Sequence, residues 1–181
     1  SLLEEIEKEV REIIKRSRKS LEEVKRRNDD SIRKSEKLVE DNKREIEEVK
    51  ERARKLKEDG TDRKRIRELM ERIERSSEET LKENSRLVTR DREINEEVLR
   101  RNRKLLEEIR RRLEEVLRRT TDKRVLEEID RLAKDVKRVS DEVLEEIKRL
   151  AKESKEMADR SNEEIKKSVE EVRRVVEEVE K

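Results

Sequence analysis

The sequence predicts an all-α protein in which three long antiparallel helices pack as an up-down-up, coiled-coil-like bundle. Two observations lead to this prediction. The 181 residues are 59% charged and 28% hydrophobic, with one Gly and no Pro, a composition typical of long helices and coiled coils. The hydrophobic residues also recur every three or four positions along almost the whole chain, as they do on the buried face of a helix.

Two interruptions divide the chain into these helices. At residues 59–62 (Asp-Gly-Thr-Asp), Gly60 suits the left-handed conformation that ends a helix, and the Thr or Asp after it can cap the next helix. At residues 120–122 (Thr-Thr-Asp), Asp122 can cap a helix, but no Gly ends the preceding one. We therefore expect a single bundle over residues 1–181, with helices at about 2–59, 62–119 and 122–180 and loops near 60–61 and 120–121.

The spacing of the inner residues predicts how the helices pair. From Leu3 to Leu56 the inner stripe of the first helix advances by about 3.5 residues per step, which predicts a gentle left-handed supercoil. Short loops make neighbouring helices antiparallel, so the first and third should run parallel. Partners in the first and second helices should then have numbers that sum to about 121, and partners in the second and third to about 241.

Small polar residues share this inner stripe. All six Asn and eleven of the twelve Ser lie on it or beside it, although a surface would be filled with better helix formers. We expect them to form a structural network of buried hydrogen bonds, with Asp91 near the second and third of four layers. The expected layers are Ser17, Ser20, Asn102 and Ser140; Asn28, Asp91 and Asn95; Ser31, Ser35, Asn84 and Ser154; and Asn42, Ser77, Thr80, Ser161 and Asn162.

The reason to expect layers is energetic. A buried polar group without a partner costs about 1–3 kcal/mol, so isolated Asn residues would weaken a thin core. Polar residues that meet in layers can satisfy one another, and such a layer also fixes the register of the helices. The alternative interpretation is that these positions are solvated, on the surface of a loosely packed bundle.

The residue types that carry most enzyme chemistry are missing. The chain has no His, Cys, Phe, Tyr or Trp, so it lacks the usual base for a Ser nucleophile and any thiolate ligand. Carboxylate metal sites in helical bundles normally include His. We expect no enzyme activity, no catalytic residue, no metal and no cofactor. Asp91 is the one acidic residue on the inner stripe, and we interpret it as a network member or an edge residue.

Few partners are expected from the charge pattern. Residues 100–124 contain eleven basic and five acidic residues, but the two signs alternate and no aromatic side chain is present to stack on bases, so we expect no nucleic-acid binding. The apolar runs are too short for a membrane-spanning segment, and we expect no signal peptide. We expect a monomer that requires no partner, with self-association, including a dimer that exchanges helices at the second loop, or a designed partner helix as alternatives.

Several features together resemble a known class of protein. Only thirteen residue types occur, the surface is Glu, Lys and Arg, and Asn and Ser are confined to the inner stripe. Both loops open with Thr-Asp followed by basic residues and an aliphatic one, in 61–66 and 121–125. Over its whole length the chain resembles computationally designed helical bundles with buried hydrogen-bond networks.

The resemblance implies what the protein is for. It implies a synthetic, soluble and heat-stable structural scaffold with no natural biochemical activity, found in the cytoplasm of an expression host. The alternative function is a designed interaction module: a component of a homo- or hetero-oligomer, or one part of a helix-exchange switch.

Overall fold

Three helices account for nearly all of the described structure. The computed structural model describes residues 1–58 and 63–181, in which α1 spans Leu2–Glu58, α2 spans Arg63–Arg119 and α3 spans Lys123–Glu180. No strand occurs in those ranges. The predicted all-α class with three long helices is confirmed. The expected first loop, residues 59–62, lies outside the described residues.

Side-chain caps mark two of the helix starts. The Ser1 hydroxyl accepts a hydrogen bond from the Glu4 amide at 3.4 Å, and the N-terminal ammonium lies 3.7 Å from the Glu4 carboxylate. At the second loop, Asp122 Oδ1 accepts a hydrogen bond from the Arg124 amide at 3.0 Å. The two hydrogen bonds each satisfy a backbone amide that has no partner within its own helix. The Asp122 cap explains why α3 begins at Lys123 without a Gly in the loop.

The described residues form two compact units. Unit 1 comprises Ser1–Asn28 and Asp91–Lys152, and unit 2 comprises Asp29–Arg90 and Glu153–Lys181. Each unit therefore contains one segment of every helix.

Contacts within unit 2 give the helix directions there. Ser35 of α1 bonds to Asn84 of α2. Asn42, which lies later in α1, bonds to Ser77, which lies earlier in α2, so α2 runs antiparallel to α1. Lys43 and Lys50 of α1 pair with Glu164 and Glu171 of α3, and α3 therefore runs parallel to α1.

Unit 1 shows the same antiparallel arrangement of α1 and α2. Glu9 of α1 binds Arg112 of α2, and Asn28 binds Asn95. Residue numbers rise along one helix as they fall along the other. The up-and-down order predicted for the first two helices is present within this unit as well.

Each unit has its own apolar core. The cores are built from aliphatic side chains of all three helices, and burying each of the larger ones contributes about 1.5–3 kcal/mol. In unit 1 the main cluster contains Ile6, Val10, Ile109, Leu113, Val116, Ile129, Leu132 and Val136, and a second cluster contains Val139, Val143 and Ile147. In unit 2 the cluster contains Ile46, Val49, Ala53, Ile66, Leu69, Met70, Ile73, Val172, Val176 and Val179.

A stripe traced along α3 from Leu126 at about 3.5 residues per step passes through Ala133, Ser140 and Met157, but the buried positions differ at these three points. Ala133 is exposed while its neighbour Leu132 is buried, and Ser140 is half-buried while Val139 is buried. Later in the helix Ala158 is buried and the expected Met157 is half-buried. An α-helix turns once in about 3.6 residues, so a stripe traced at 3.5 drifts around the helix. At the first point, burial of the larger Leu side chain removes more apolar area from water.

Candidate functional site

One buried polar layer in unit 2 joins all three helices. Ser35 of α1 donates a hydrogen bond to Asn84 Oδ1 of α2 at 3.0 Å, and its hydroxyl oxygen lies 3.4 Å from that of Ser161 in α3. All three side chains are buried, with at most 6% of Ser35 exposed. A hydroxyl has a single proton to donate. Since Ser35 gives its proton to Asn84, Ser161 is the donor in the second contact.

A second pair of buried polar residues in unit 2 joins α1 to α2. Asn42 Nδ2 donates to Ser77 Oγ at 3.0 Å, and both residues are buried. Thr80, expected in the same layer, instead donates to the Ser76 carbonyl of its own helix at 3.0 Å. Asn162 is half-buried, and its Oδ1 has no hydrogen-bond partner within the described ranges. The structure therefore brings Asn42 to Ser77 and leaves Thr80 bonded locally.

In unit 1 one of the expected layers contains a bond between helices. Asn28 Nδ2 donates to the Val24 carbonyl at 2.8 Å and to Asn95 Oδ1 at 3.3 Å. The two remaining amide atoms, Asn28 Oδ1 and Asn95 Nδ2, are buried without a hydrogen-bond partner among residues 1–58 and 63–181. The amide pair therefore satisfies half of its own polar atoms.

The other expected layer of unit 1 is buried but not bonded in the same way. Ser17 is 1% exposed and Asn102 is 4% exposed. The Ser17 hydroxyl and both amide atoms of Asn102 have no hydrogen-bond partner in the described part of the chain. Ser20 and Ser140 are half-buried. These positions are polar residues in an apolar environment, a combination that costs free energy.

Three further residues of the expected network have polar partners. Asp91 and Ser154 are buried and Ser31 is half-buried, and each takes part in a polar interaction. The carboxylate of Asp91 is thus placed inside the protein, as the inner stripe indicated. Within the described residues, no group of three or more carboxylates is arranged to hold a metal ion.

In unit 2 the contacts between α2 and α3 depart from the pairing sum of about 241 that the sequence predicts. In unit 2 Glu74 binds Arg173, and Arg67 pairs with Glu180. Both pairs sum to 247, whereas about 241 was expected. The bonded pairs between α1 and α2 in the same unit, Ser35 with Asn84 and Asn42 with Ser77, each sum to 119, close to the expected value of about 121. The larger departure is therefore specific to α3.

This displacement changes the composition of the layers. Ser161 lies beside Ser35, 126 positions earlier, whereas the rule grouped it with Ser77 and Thr80. A shift of about six residues, nearly two helical turns, exchanges one layer for the next, because Ser154 and Ser161 are themselves seven residues apart. Ser161 therefore lies in a different layer from the one in which the pairing sums grouped it.

Sequence reasoning missed a buried lysine in unit 2. Only 10% of the Lys50 side chain is exposed, and its Nζ lies 2.9 Å from Glu171 and 3.1 Å from Glu47. The hydrogen bond to the Glu171 carboxylate raises the pKa of Lys50 above its ordinary value, although burial acts in the opposite direction. The same bond lowers the pKa of Glu171. The Lys stem covers apolar surface while its charged end reaches the carboxylates at the edge.

A repeated spacing would have revealed this pair. Lys50 and Glu171 are 121 positions apart, and Lys25 with Glu146 and Lys43 with Glu164 have the same spacing. The two pairing rules together place α1 residues beside α3 residues about 120 positions later. Opposite charges at that spacing were therefore visible in the sequence, although their burial was not.

Another missed contact links α1 to α2 at the edge of unit 2. Ser76 donates a hydrogen bond to Glu45 at 2.7 Å, and Arg72 lies 3.6 Å from the same carboxylate. This is a Ser next to a carboxylate, but the same carboxylate also pairs with the Arg72 guanidinium. The contact joins two helices and is not arranged like a nucleophile with its base.

Comparisons with known proteins support the architecture. No protein-family model matches the chain, and no curated protein does. A solved structure described as a "Computationally designed three helix bundle" is similar, with a TM-score of 0.50 and 23% sequence identity over 98% of this chain and 82% of that one. The chain has the fold of a three-helix bundle. The expected resemblance to designed helical bundles is confirmed at the level of the fold.

The three-helix bundle offers no membrane-spanning element in the part that is described. Among residues 1–58 and 63–181, no helix has a stretch both long enough and apolar enough to cross a bilayer.

Proposed function

We propose that the chain is a computationally designed structural scaffold, whose task is to hold three helices in one specified pairing, and that it has no enzymatic activity. The observation that carries this proposal is the layer of Ser35, Asn84 and Ser161. It joins the three helices by side-chain hydrogen bonds in the interior of unit 2.

Such a layer distinguishes one register from another. An apolar stripe that repeats every 3.5 residues makes similar contacts after a slip of one repeat. If α3 slipped in this way, Ser35 and Asn84 would stay bonded to each other, but Ser161 would move away from Ser35 and be buried without this partner. Each polar group left without a partner would then cost about 1–3 kcal/mol. The layer therefore penalises wrong pairings more than it stabilises the right one.

The restricted alphabet supports a designed origin. The sequence uses thirteen residue types, and all six Asn and ten of the twelve Ser are buried or half-buried. The absence of His and Cys from the sequence removes the usual activating base and the strongest nucleophile. Of the Ser residues inside unit 2, Ser35 and Ser161 bond to polar side chains of the layer, which assigns them a structural role.

Replacing the polar layers as whole sets tests the proposal. We would change Ser35, Ser77 and Ser161 to Ala and Asn42 and Asn84 to Leu in one variant. Helix content and thermal stability should stay equal or rise, because both partners of each hydrogen bond are removed together. The unique pairing should be lost, and an amide NMR spectrum should show several sets of peaks or a mass above that of one chain.

A matched control keeps the number of core substitutions and the apolar character of the core. Exchanging Ile46, Ile73 and Val172 for aliphatic residues of similar volume should leave a single set of amide peaks. A large loss of stability in the polar-layer variant, with the original assembly unchanged, would contradict the proposal. The unmodified chain should also show no unfolding transition near about 50 °C, the range of ordinary domains.

One observation favours the second candidate, an interaction module. Leu117 on α2 is a large aliphatic residue that is 41% exposed. A scaffold with no partner does not need an exposed leucine at this position, although single ones are common on protein surfaces. The surroundings of Leu117 decide whether it belongs to a binding surface.

A further inference from the structure

Leu117 lines a groove between α2 and α3 in unit 1. The groove has a volume of about 840 Å³, and we call the surface formed by residues 103–117 of α2 and 129–140 of α3 the α2–α3 groove. Its apolar floor includes half-buried Leu106, and Ala133 is exposed on the α3 side. Apolar surface with a polar rim is typical of an interaction site.

The charged residues on the α2 rim of the groove are ordered so that two antiparallel copies of the row place opposite charges face to face. Arg103, Glu107, Arg110 and Glu114 all line it, in the order plus, minus, plus, minus. When a second copy of this helix lies antiparallel to the first, Arg103 faces Glu114 and Glu107 faces Arg110. Every charge of the row then meets its opposite.

The α3 rim has the same property. Asp130 and Lys137 line the groove on either side of Ala133. In an antiparallel copy, Asp130 faces Lys137, and the two Ala133 side chains meet at the centre. Small side chains at a crossing point allow two helices to approach closely. The centres of both charge patterns fall in the middle of the segments that line the groove.

We propose that the α2–α3 groove binds the same groove of a second copy of this chain, across a two-fold axis that passes near Ala133. Such an interface is isologous, since the same patch serves both copies. The Leu106 and Leu113 side chains pack on either side of the axis, Leu117 lies toward the end of the patch, and the opposed charges close the rim. This inference goes beyond the scaffold function, which does not depend on it.

The size of the groove sets the strength of the dimer. Two segments of this length cover less area than the 1,200–2,000 Å² that a stable interface buries, so the dimer is weak. We expect a dissociation constant of roughly 10–500 μM. Because the rim pairs are exposed, the dimer weakens as salt screens them.

Sedimentation equilibrium on the full chain measures this directly. The average mass should rise from 22.1 kDa toward twice that value as the concentration increases from about 10 μM to 1 mM. At 0.5 M salt, where the Debye length is about 4 Å, the dissociation constant should increase at least threefold. A mass that stays at one chain throughout this range overturns the proposal.

Charge reversal identifies the surface. Arg110→Glu places Glu beside Glu107 of the other copy at two symmetric positions, and the dissociation constant should increase at least tenfold. The double variant Glu107→Arg/Arg110→Glu restores opposite charges at both positions and should return it to within about threefold of the original. Arg111→Glu is the matched control, because Arg111 is exposed on the same helix but does not line the groove.

The apolar part of the interface has its own matched pair. Leu117 is 41% exposed and Leu2 is 45% exposed, so neither is needed to fill a core. Leu117→Ala should raise the dissociation constant about fivefold or more, since the change occurs in both copies, whereas Leu2→Ala should leave it unchanged. Circular dichroism of each variant confirms that the helices are retained.

Two further outcomes overturn the proposal. If a dimer forms but the double variant fails to restore what Arg110→Glu removes, the two copies meet on another surface. If the dimer persists on dilution and is indifferent to every groove variant, the copies have exchanged helices at residues 120–122 instead.

Discussion

Ser17 and Ser35 are the same residue type on the same helix, and both are buried, but their hydrogen bonding differs between the two units. In unit 2, Ser35 bonds to Asn84 and Ser161. In unit 1, the Ser17 hydroxyl has no hydrogen-bond partner within the described ranges. Position on the inner stripe is therefore not enough to make a polar residue stabilising, because the free energy depends on what the other two helices place opposite it.

The asparagines of α2 repeat this contrast. Asn84 accepts the proton of Ser35 with its Oδ1, whereas neither amide atom of Asn102 has a partner in the part of the chain that is described. Both residues are almost completely buried. Unit 2 thus contains a layer that links three helices, although Asn84 Nδ2 and Asn42 Oδ1 are buried without a partner among the described residues. In unit 1 Asn102 lacks a partner for both of its amide atoms.

The lysines that pair α1 with α3 differ in burial in the same sense. Lys50 in unit 2 has a side chain that is 10% exposed, and it lies 2.9 Å from Glu171. Lys25 in unit 1 is 45% exposed and lies 3.4 Å from Glu146. Exposed ion pairs contribute little because water and salt screen them. Of the two contacts, the Lys50 pair is the one expected to influence stability.

The largest expected difference between the units comes from their asparagines. Asn102→Leu should raise the free energy of unfolding by about 2–4 kcal/mol, since it removes two unpartnered groups and adds buried apolar area. Asn84→Leu should raise the free energy of unfolding by at least about 1 kcal/mol less than Asn102→Leu does, because Ser35 loses its acceptor. Urea unfolding of both variants measures this. Equal gains would mean that the two layers do not differ energetically.

A smaller difference is expected for the two serines. Ser35→Ala leaves Asn84 and Ser161 without their shared partner and should lower the free energy of unfolding by about 1–2 kcal/mol. Ser17→Ala removes an unpartnered hydroxyl and should raise it by about 0.5–1.5 kcal/mol. Since both changes have the same effect on helix propensity, opposite signs would isolate the hydrogen bonds. A loss of stability in both variants would show that Ser17 has a partner in solution.

The smallest effect is a dependence on pH, which separates Lys50 from Lys25. The pKa of Glu171 is lowered on folding, so its contribution is present above its ordinary pKa of 4.5 and is lost as the pH falls through the lower folded value. The pKa of Lys50 is raised, so its contribution is present below 10.5 and is lost at higher pH.

Replacing each lysine by Met tests this dependence. Lys50→Met keeps the apolar stem, and the difference in stability from the unmodified chain should shrink below about pH 4.5 and above about pH 10.5. Lys25→Met should show a smaller dependence, because that lysine is largely solvated. Thermal unfolding at a series of pH values measures both variants. Identical pH profiles would remove the distinction between the buried and exposed pairs.

Much of the architecture could be predicted because it depends on local properties. Helix formation followed from near-continuous helix formers without Pro, and the cap at Asp122 followed from its side chain and the loop around it. Burial of Asn28, Asn42, Asn84 and Asn102 followed from their period along the helix. Each of these inferences needs only residues that are close together in sequence.

The partners of the polar residues were harder to predict. Ser161 was grouped with Ser77, but it lies beside Ser35. A count from the loop contains no information on how far one helix is displaced along another or on the drift of a stripe around its helix. An error of a few residues has little effect on an aliphatic core, but it replaces one hydrogen-bond partner by another.

The sequence by itself determined that this protein forms three helices and that Asn28, Asn42, Asn84 and Asn102 lie on their inner faces. Those properties follow from the period of the apolar stripe and from helix propensity, both of which are local. Only the tertiary structure decided that Ser35 has two partners, that Ser17 has none among the described residues and that Lys50 is buried. A hydrogen bond requires its atoms to lie within about 3.5 Å, so its formation depends on the relative displacement of whole helices.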